Sequence, residues 1–340
     1  MTLRNTRDDR ETIGVVGAGA WGTALAQMLA SDGREVLLWA YEPEVVAAIN
    51  AERRNPVYLP SAELAPGIRA TGDLGEFATL DIVLGVTPAQ VLGKVLSQLP
   101  NTPRDLVLCS KGIEAGTGHL MNDVARSACP DSTIAVLSGP TFAHEVAAGL
   151  PTAVTLACGG GEAQWERLKP AIARPAFRPY FTDDVVGAEI GGAIKNVLAI
   201  ACGLVDGLAL GQNARAALIA RGYAEMLRFG EALGARAETL AGLCGLGDLV
   251  LTCSSTSSRN FSLGKALGEG QSAADLMADR TTVAEGAHTA PVLARLAQER
   301  DIAMPIVMAV HAILEGENTR EVVARLLARP LRAEQTDNGE

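Results

Sequence analysis

Ile13-Gly14-Val15-Val16 runs straight into the glycine turn Gly17-Ala18-Gly19-Ala20-Trp21-Gly22. A helical stretch over 23–30 follows, then a Ser31-Asp32-Gly33 break, then a second apolar run over 35–40. Strand, helix and strand in that order make a βαβ unit. In the turn, Gly17 permits the tight bend, Gly19 lets backbone approach a pyrophosphate, and Gly22 lets the helix pack close. The helix N-terminus then presents its unpaired N–H groups to the phosphates. A lone GxGxxG also occurs as a plain strand-to-helix connector, but the ordered elements around this one favour a bound dinucleotide.

The choice of dinucleotide is written at the end of the second strand, where an acid binds a ribose 2′-hydroxyl and a base accepts a 2′-phosphate. Tyr41 and Glu42 stand there. Glu42 favours NAD, while Arg53 and Arg54 are placed either to approach a 2′-phosphate or to be solvated surface charges. NAD and NADP both remain open on the sequence.

Outward from this unit, near-continuous apolar runs predict buried strands at 82–86, 106–110, 133–138 and 153–157, which suits a parallel sheet covered on both faces. After about residue 188 the pattern becomes long helical stretches broken by glycines, with Ile190, Ile194, Val197 and Ala201 at i, i+4, i+7 and i+11. A chain of 340 residues exceeds one small core. The expected architecture is α/β: a Rossmann-type doubly wound sheet over 11–187 binding the dinucleotide, then an all-helical domain over 188–330 binding the substrate. The polar, acidic tail from about residue 334 reads as frayed.

The net charge of −10, with no basic run, argues against nucleic acid as a partner. The polar first ten residues, and the lack of an uncharged apolar stretch with membrane-helix flanks, predict a cytoplasmic enzyme without membrane insertion. Six cysteines are scattered without ligand spacing, so reduced thiols are expected, with neither a metal site nor a disulfide framework. Four dispersed histidines and no nucleophile motif leave lysine as the simplest acid/base group.

Lysine is scarce here, the chain favouring arginine, and only lysine readily loses its proton when buried. Lys111 follows the strand at 106–110, at the carboxyl end where ligands of open α/β sheets collect; the competing reading is a strand-end surface lysine. Lys195 lies in GAEIGGAIKNVLAIACGL, a helix apolar on nearly every face. Burial would lower its pKa and let it exchange a proton with a substrate oxygen near neutral pH, unless its head snorkels to water. Downstream, LGDLVLTCSSTSSRN offers Asp248, then Ser257 or Ser258 as a helix N-cap and Arg259 to grip a phosphate, or else a bland polar loop.

GAGAWGTALA at Gly17, SKGIE at Ser110, SGPTFAHEVAAGLPTAV at Ser138, GGAIKNVLAIACGLVDGL at Gly191 and GLGDLVLTCSSTSSRN at Gly245 together resemble bacterial-type NAD(P)-dependent glycerol-3-phosphate dehydrogenase, over about 12–329. The resemblance implies reversible reduction of dihydroxyacetone phosphate to sn-glycerol 3-phosphate in the cytoplasm, feeding phospholipid synthesis, with NAD or NADP and no metal. It makes Lys195 the proton acceptor in the oxidation direction and Lys111 the group that polarises the substrate and touches the cofactor. Gly139, Thr141, Asp248, Ser258, Arg259 and Asn260 carry over as substrate contacts, with Asn196 beside them. Ala20, Trp21, Tyr41, Lys111, Ala143, Arg259, Val283 and Glu285 carry over as cofactor contacts, the last two through TTVAEG. At Tyr41 the family often has His or Arg, and that basic group is missing here.

Two other readings stand beside this one. A hydroxy-acid or opine dehydrogenase with a helical second domain would not need the phosphate corner at Arg259. A non-catalytic dinucleotide sensor would not need Lys195, Lys111 and Asp248 together. A homodimer through the helical domain is compatible with the sequence.

Overall fold

In the computed structural model, which describes residues 12–278 and 284–330, Ile13–Val16 forms β1 inside an eight-stranded sheet. The other strands are β2 (Val36–Trp39), β3 (Ile68–Thr71), β4 (Ile82–Gly85), β5 (Asp105–Leu108), β6 (Thr133–Ser138), β7 (Thr152–Cys158) and β8 (Phe177–Thr182). Their order across the sheet is β3-β2-β1-β4-β5-β6-β7-β8. The chain therefore winds one way from β1 to β3 and the other way from β4, and the crevice between β1 and β4 is the switch point where such sheets take their ligands. Alternate strand residues enter different cores: Val15, Leu38 and Leu84 join one buried cluster, Val16, Leu37 and Val83 another. Both faces are covered, as the apolar runs imply.

The helices of this half are α1 (Ala20–Ala30), α2 (Pro43–Glu52), α3 (Ala89–Leu96), α4 (Met121–Ala128), α5 (Ala143–Ala147) and α6 (Gly161–Ile172). The sheet departs from an all-parallel one at β7, which runs antiparallel to β6, with β8 parallel to β7. The cause lies in the connection. Its one helix, α5, has five residues and a length of about 7.5 Å, too short to carry the chain back across the sheet, so β7 starts at the edge where β6 ends. β3 and β8 have no counterpart among the apolar runs because they are the sheet's outer strands, and β8 has a single buried residue, Phe177.

The C-terminal half is built on α7 (Val185–Gly207), whose Asp184 cap accepts from Gly187 N at 2.8 Å. Residues 187 and 188 fall in its first turn. Around it lie α8 (Gly211–Ala232), α9 (Ala237–Ala241), α10 (Asp248–Cys253), α11 (Arg259–Gly268), α12 (Ala273–Ala278), α13 (Glu285–Glu299), α14 (Pro305–Leu314) and α15 (Thr319–Leu327). Ile190, Ile194, Val197 and Ala201 are all buried, in one cluster with Phe229, Phe261, Leu293 and Val307. α7 is long and apolar enough to cross a membrane by length and composition, but its apolar window is buried inside the protein.

Candidate active site

Lys111 leaves the carboxyl end of β5 and Gly139 that of β6, so both arrive at the ligand edge of the sheet. Lys111 Nζ donates to Gly139 O at 3.4 Å and to Asp248 Oδ2 at 2.7 Å. Asp248 opens α10, and its other oxygen, Oδ1, accepts from Lys195 Nζ on α7 at 2.5 Å. Gly192, one helical turn before Lys195, makes this approach feasible: a Cβ there would lie 3.1 Å from Ser138 Oγ and 3.4 Å from the Lys111 stem. One fully buried carboxylate thus holds two ammonium groups, of which Lys195 is 6% exposed.

The charges decide what this cluster can do. Burial lowers the Lys195 pKa most, Asp248 opposes it and Lys111 adds to it, leaving the ammonium at about 8. Lys111 is penalised by burial too, yet the Asp248 carboxylate holds it above the ordinary lysine value. The pair therefore divides into a permanent cation and a group able to exchange a proton near neutrality. Burial raises the Glu285 carboxyl, against the pull of Arg259, Lys111 and Lys195.

At the other wall Ser258 caps α11, accepting from Phe261 N at 3.3 Å. Arg259 is the first residue of that helix and is exposed. Asn260 Nδ2 donates to Asn196 Oδ1 at 3.0 Å, and Asn260 Oδ1 accepts from Gly286 N at 2.9 Å, joining α11, α7 and α13. Thr141 Oγ1 donates to Gly139 O at 3.3 Å.

The glycine turn opens between β1 and α1. Gly17 takes φ +116°, and a Cβ on Gly22 would lie 1.8 Å from Gly17 O, so neither position admits a side chain. Gly19 caps α1 without a side-chain acceptor, and a Cβ built on it meets nothing within 4 Å. Trp21 Nε1 is buried without a hydrogen-bond partner. Open space at Gly19, unclaimed N–H groups of the first turn and a stranded buried donor fit a dinucleotide diphosphate. Ala20 and Trp21 begin α1, and Ala143 begins α5, which packs against it. β2, carrying Tyr41 and Glu42 at its end, is three strand spacings from β5, about 14 Å, which separates the ends of an extended cofactor.

Two family models match the chain: the N-terminus of NAD-dependent glycerol-3-phosphate dehydrogenase over residues 12–164, and its C-terminus over 184–324. The chain belongs to the NAD(P)-dependent glycerol-3-phosphate dehydrogenase family. It is 76% identical over 322 residues to glycerol-3-phosphate dehydrogenase [NAD(P)+] of Erythrobacter litoralis, covering 95% of this chain and 97% of that one. The corresponding protein of Novosphingobium aromaticivorans is 73% identical, covering 95% and 98%. Among solved structures, glycerol-3-phosphate dehydrogenase of Coxiella burnetii superposes with a TM-score of 0.89 at 40% identity, covering 94% of this chain and 99% of that one.

Within this glycerol-3-phosphate dehydrogenase, the geometry gathers Lys111, Gly139, Thr141, Lys195, Asp248 and Glu285 around one charge cluster, with Asn196, Ser258, Arg259 and Asn260 beside it. Tyr41, 81% exposed, stands apart at the end of β2, and Val283 lies outside the described residues. Thr252 also joins this cluster. Its Oγ1 accepts from Lys195 Nζ at 3.1 Å and lies 3.3 Å from Asp248 Oδ1. Its i+4 spacing from Asp248 on a helix is the signal that finds it. Tyr58, which donates to Glu42, leaves no such trace, because its contact spans sixteen residues. Among the described residues no group of three or more His, Cys, Asp or Glu is placed to hold a metal, and all six cysteines are free and buried.

Proposed function

We propose that this chain reduces dihydroxyacetone phosphate reversibly to sn-glycerol 3-phosphate with NAD(P)H, with Lys195 exchanging the proton and Lys111 stabilising the charge on the substrate oxygen. In this reading the sheet half, 11–187, holds the dinucleotide and the helical half, 188–330, holds the substrate. The observation that carries it is the buried Asp248 carboxylate shared by two lysines of different basicity.

A nicotinamide cofactor held over the Gly17–Gly22 turn would supply or take the hydride at substrate C2. In reduction the C2 oxygen gains negative charge, and the Lys195 ammonium gives it a proton, leaving a secondary alcohol and a neutral amine. In oxidation the amine takes the hydroxyl proton back. Lys111 stays charged throughout and faces the same oxygen, an electrostatic contribution that grows with the charge. Asp248 orients both lysines through its two oxygens. Arg259, at the N-terminus of α11, grips the phosphate, where guanidinium and helix dipole act together. Asn196, Asn260, Gly139 and Thr141 line the substrate between these two ends. The free cysteines suit a cytoplasmic setting, where the product would feed glycerophospholipid synthesis.

The test is an initial-rate assay with dihydroxyacetone phosphate, run on the wild type and Lys195→Met. The wild type should turn over, and the variant should lose turnover by orders of magnitude while still binding cofactor. Near-normal turnover in the variant would remove the assignment.

A further inference from the structure

We propose that Glu189 on α7 is a positioning residue for the reaction: its bond to the start of α4 holds the segment that carries Lys111 in register with Lys195. The proposal rests on the lysine roles given above. Glu189 is buried, and its Oε1 accepts from Asn122 N at 2.7 Å. Asn122 lies in the first turn of α4, a helix whose N-cap, Leu120, has no side-chain acceptor to offer. A carboxyl on α7, from the helical half, therefore caps a helix of the sheet half. Its other oxygen, Oε2, is buried without a hydrogen-bond partner. A carboxyl kept in this way costs stability that an apolar side chain would not. What it supplies is a directed bond between the two halves.

Both ends of that bond lead to the lysine pair. Lys195 follows Glu189 on the same helix, about 9 Å further along its axis. On the other side, residues 111–120 run from Lys111 to the N-cap of α4. This segment closes on itself: Ile113 and Leu120 form an antiparallel bridge, and Glu114 N donates to His119 O at 3.0 Å. Its two feet, beside Lys111 and at Leu120, are thereby coupled. Ile113 is buried in the core of the helical half and Leu120 packs against it, an apolar contact that holds the segment there without setting its register. Glu189 adds the directional constraint. Burial pushes its carboxyl up to about 8 against the pull of the Asn122 N–H, with Asp123 adding to the shift and Arg126 opposing it. At neutral pH the side chain is mostly the uncharged acid, so glutamine is its nearest match and keeps an acceptor oxygen.

The experiment measures kcat and KM for dihydroxyacetone phosphate, the pH profile of glycerol 3-phosphate oxidation and the urea midpoint in wild type, Glu189→Gln and Glu189→Met. Methionine fills similar space and offers Asn122 N–H no good acceptor. Glu189→Met should lose kcat by about ten- to a hundredfold, as expected for misplaced catalytic groups, with a smaller change in KM. Asp248 on α10 and Lys111 are the charges that act on Lys195, and Lys111 lowers it. A Lys111 that drifts away releases Lys195 from the neighbouring ammonium, so the oxidative limb of Glu189→Met should move up by about half a pH unit or more. Glu189→Gln should keep kcat within about twofold and its limb at about 8, which also shows that the limb is not the titration of Glu189 itself. If Glu189→Met fails to fold, Glu189→Asp, whose carboxyl falls one methylene short of Asn122 N, reads the same shifts. A folded Met or Asp variant with wild-type kcat and limb would overturn the inference and leave Glu189 a structural cap, whatever its urea midpoint. Glu189→Gln losing as much kcat as Glu189→Met would overturn it too. A wild type without any limb would remove the lysine roles and the inference with them, whereas a limb that no variant moves would remove the inference alone.

Discussion

Lys195 and Lys111 share one counter-ion: Asp248 Oδ1 lies 2.5 Å from the first ammonium and Oδ2 2.7 Å from the second. With both lysines protonated the trio carries one net positive charge in a buried setting. Burial lowers Lys195 most and the Lys111 charge adds to it, while Asp248 opposes both.

The first consequence is a pH profile. Lys195, depressed from 10.5 to about 8, is ammonium below that pH and amine above it. Oxidation of glycerol 3-phosphate needs the amine, so kcat in that direction should rise through about pH 8 to a plateau. Reduction needs the ammonium and should fall over the same interval. Steady-state rates from pH 6 to 10 in both directions check the mirror relationship; two limbs of the same sign would exclude Lys195 as the proton carrier.

Asp248→Asn removes the anion and leaves two buried ammonium groups facing each other. Breaking a buried pair in this way costs about 3–5 kcal/mol, which should appear as a lowered urea midpoint. The loss of Asp248 also withdraws the carboxylate that most raises Lys195, so the oxidative limb should move below pH 8. A limb displaced upward would contradict the charge balance described above.

Much of this arrangement was written in local sequence, and what was not has a physical reason. The glycine turn, the buried strands and the helical spacing of Ile190, Ile194 and Val197 are short-range patterns, and they appear where expected. The reversal at β7 depends on how little chain the α5 connection spans, which no apolar run encodes. Lys195 and Asp248 are 53 residues apart, and Lys111 and Asp248 are 137 apart. Each was visible as an unusual residue in an apolar setting, but their sharing of one carboxylate is a product of tertiary packing. Thr252 is marked only by its i+4 spacing from Asp248, and Tyr58 by nothing local, because its hydroxyl announces nothing until its partner is in place.

Asn260 should act as a joint between helices. Its amide pairs with Asn196 on α7 and with the first turn of α13, both buried. Asn260→Ala strands Asn196 Oδ1 and Gly286 N–H, costing about 1–3 kcal/mol, measurable by denaturant unfolding. Because Glu285 begins the helix that this bond tethers, the KM for cofactor should rise with the KM for substrate. An effect on stability without either KM change would make Asn260 a purely structural joint.

Arg259 should behave differently from either lysine. It meets the substrate phosphate, whose charge is the same before and during the reaction, so its interaction is uniform between ground and transition states. Arg259→Ala should therefore raise the KM for dihydroxyacetone phosphate by about ten- to a hundredfold, as expected for loss of a charge-assisted contact, with a much smaller change in kcat. Arg259 is exposed at the start of α11, where the Ser258 cap rather than the guanidinium secures the helix, so the variant should keep its fold. Dihydroxyacetone, which lacks the phosphate, supplies the control. Wild type and variant should use it equally poorly, because the missing anion and the missing cation belong to one interaction. If the variant lost as much on dihydroxyacetone as on its phosphate ester, Arg259 would be acting on the cofactor or the fold, and the phosphate would have to be placed elsewhere.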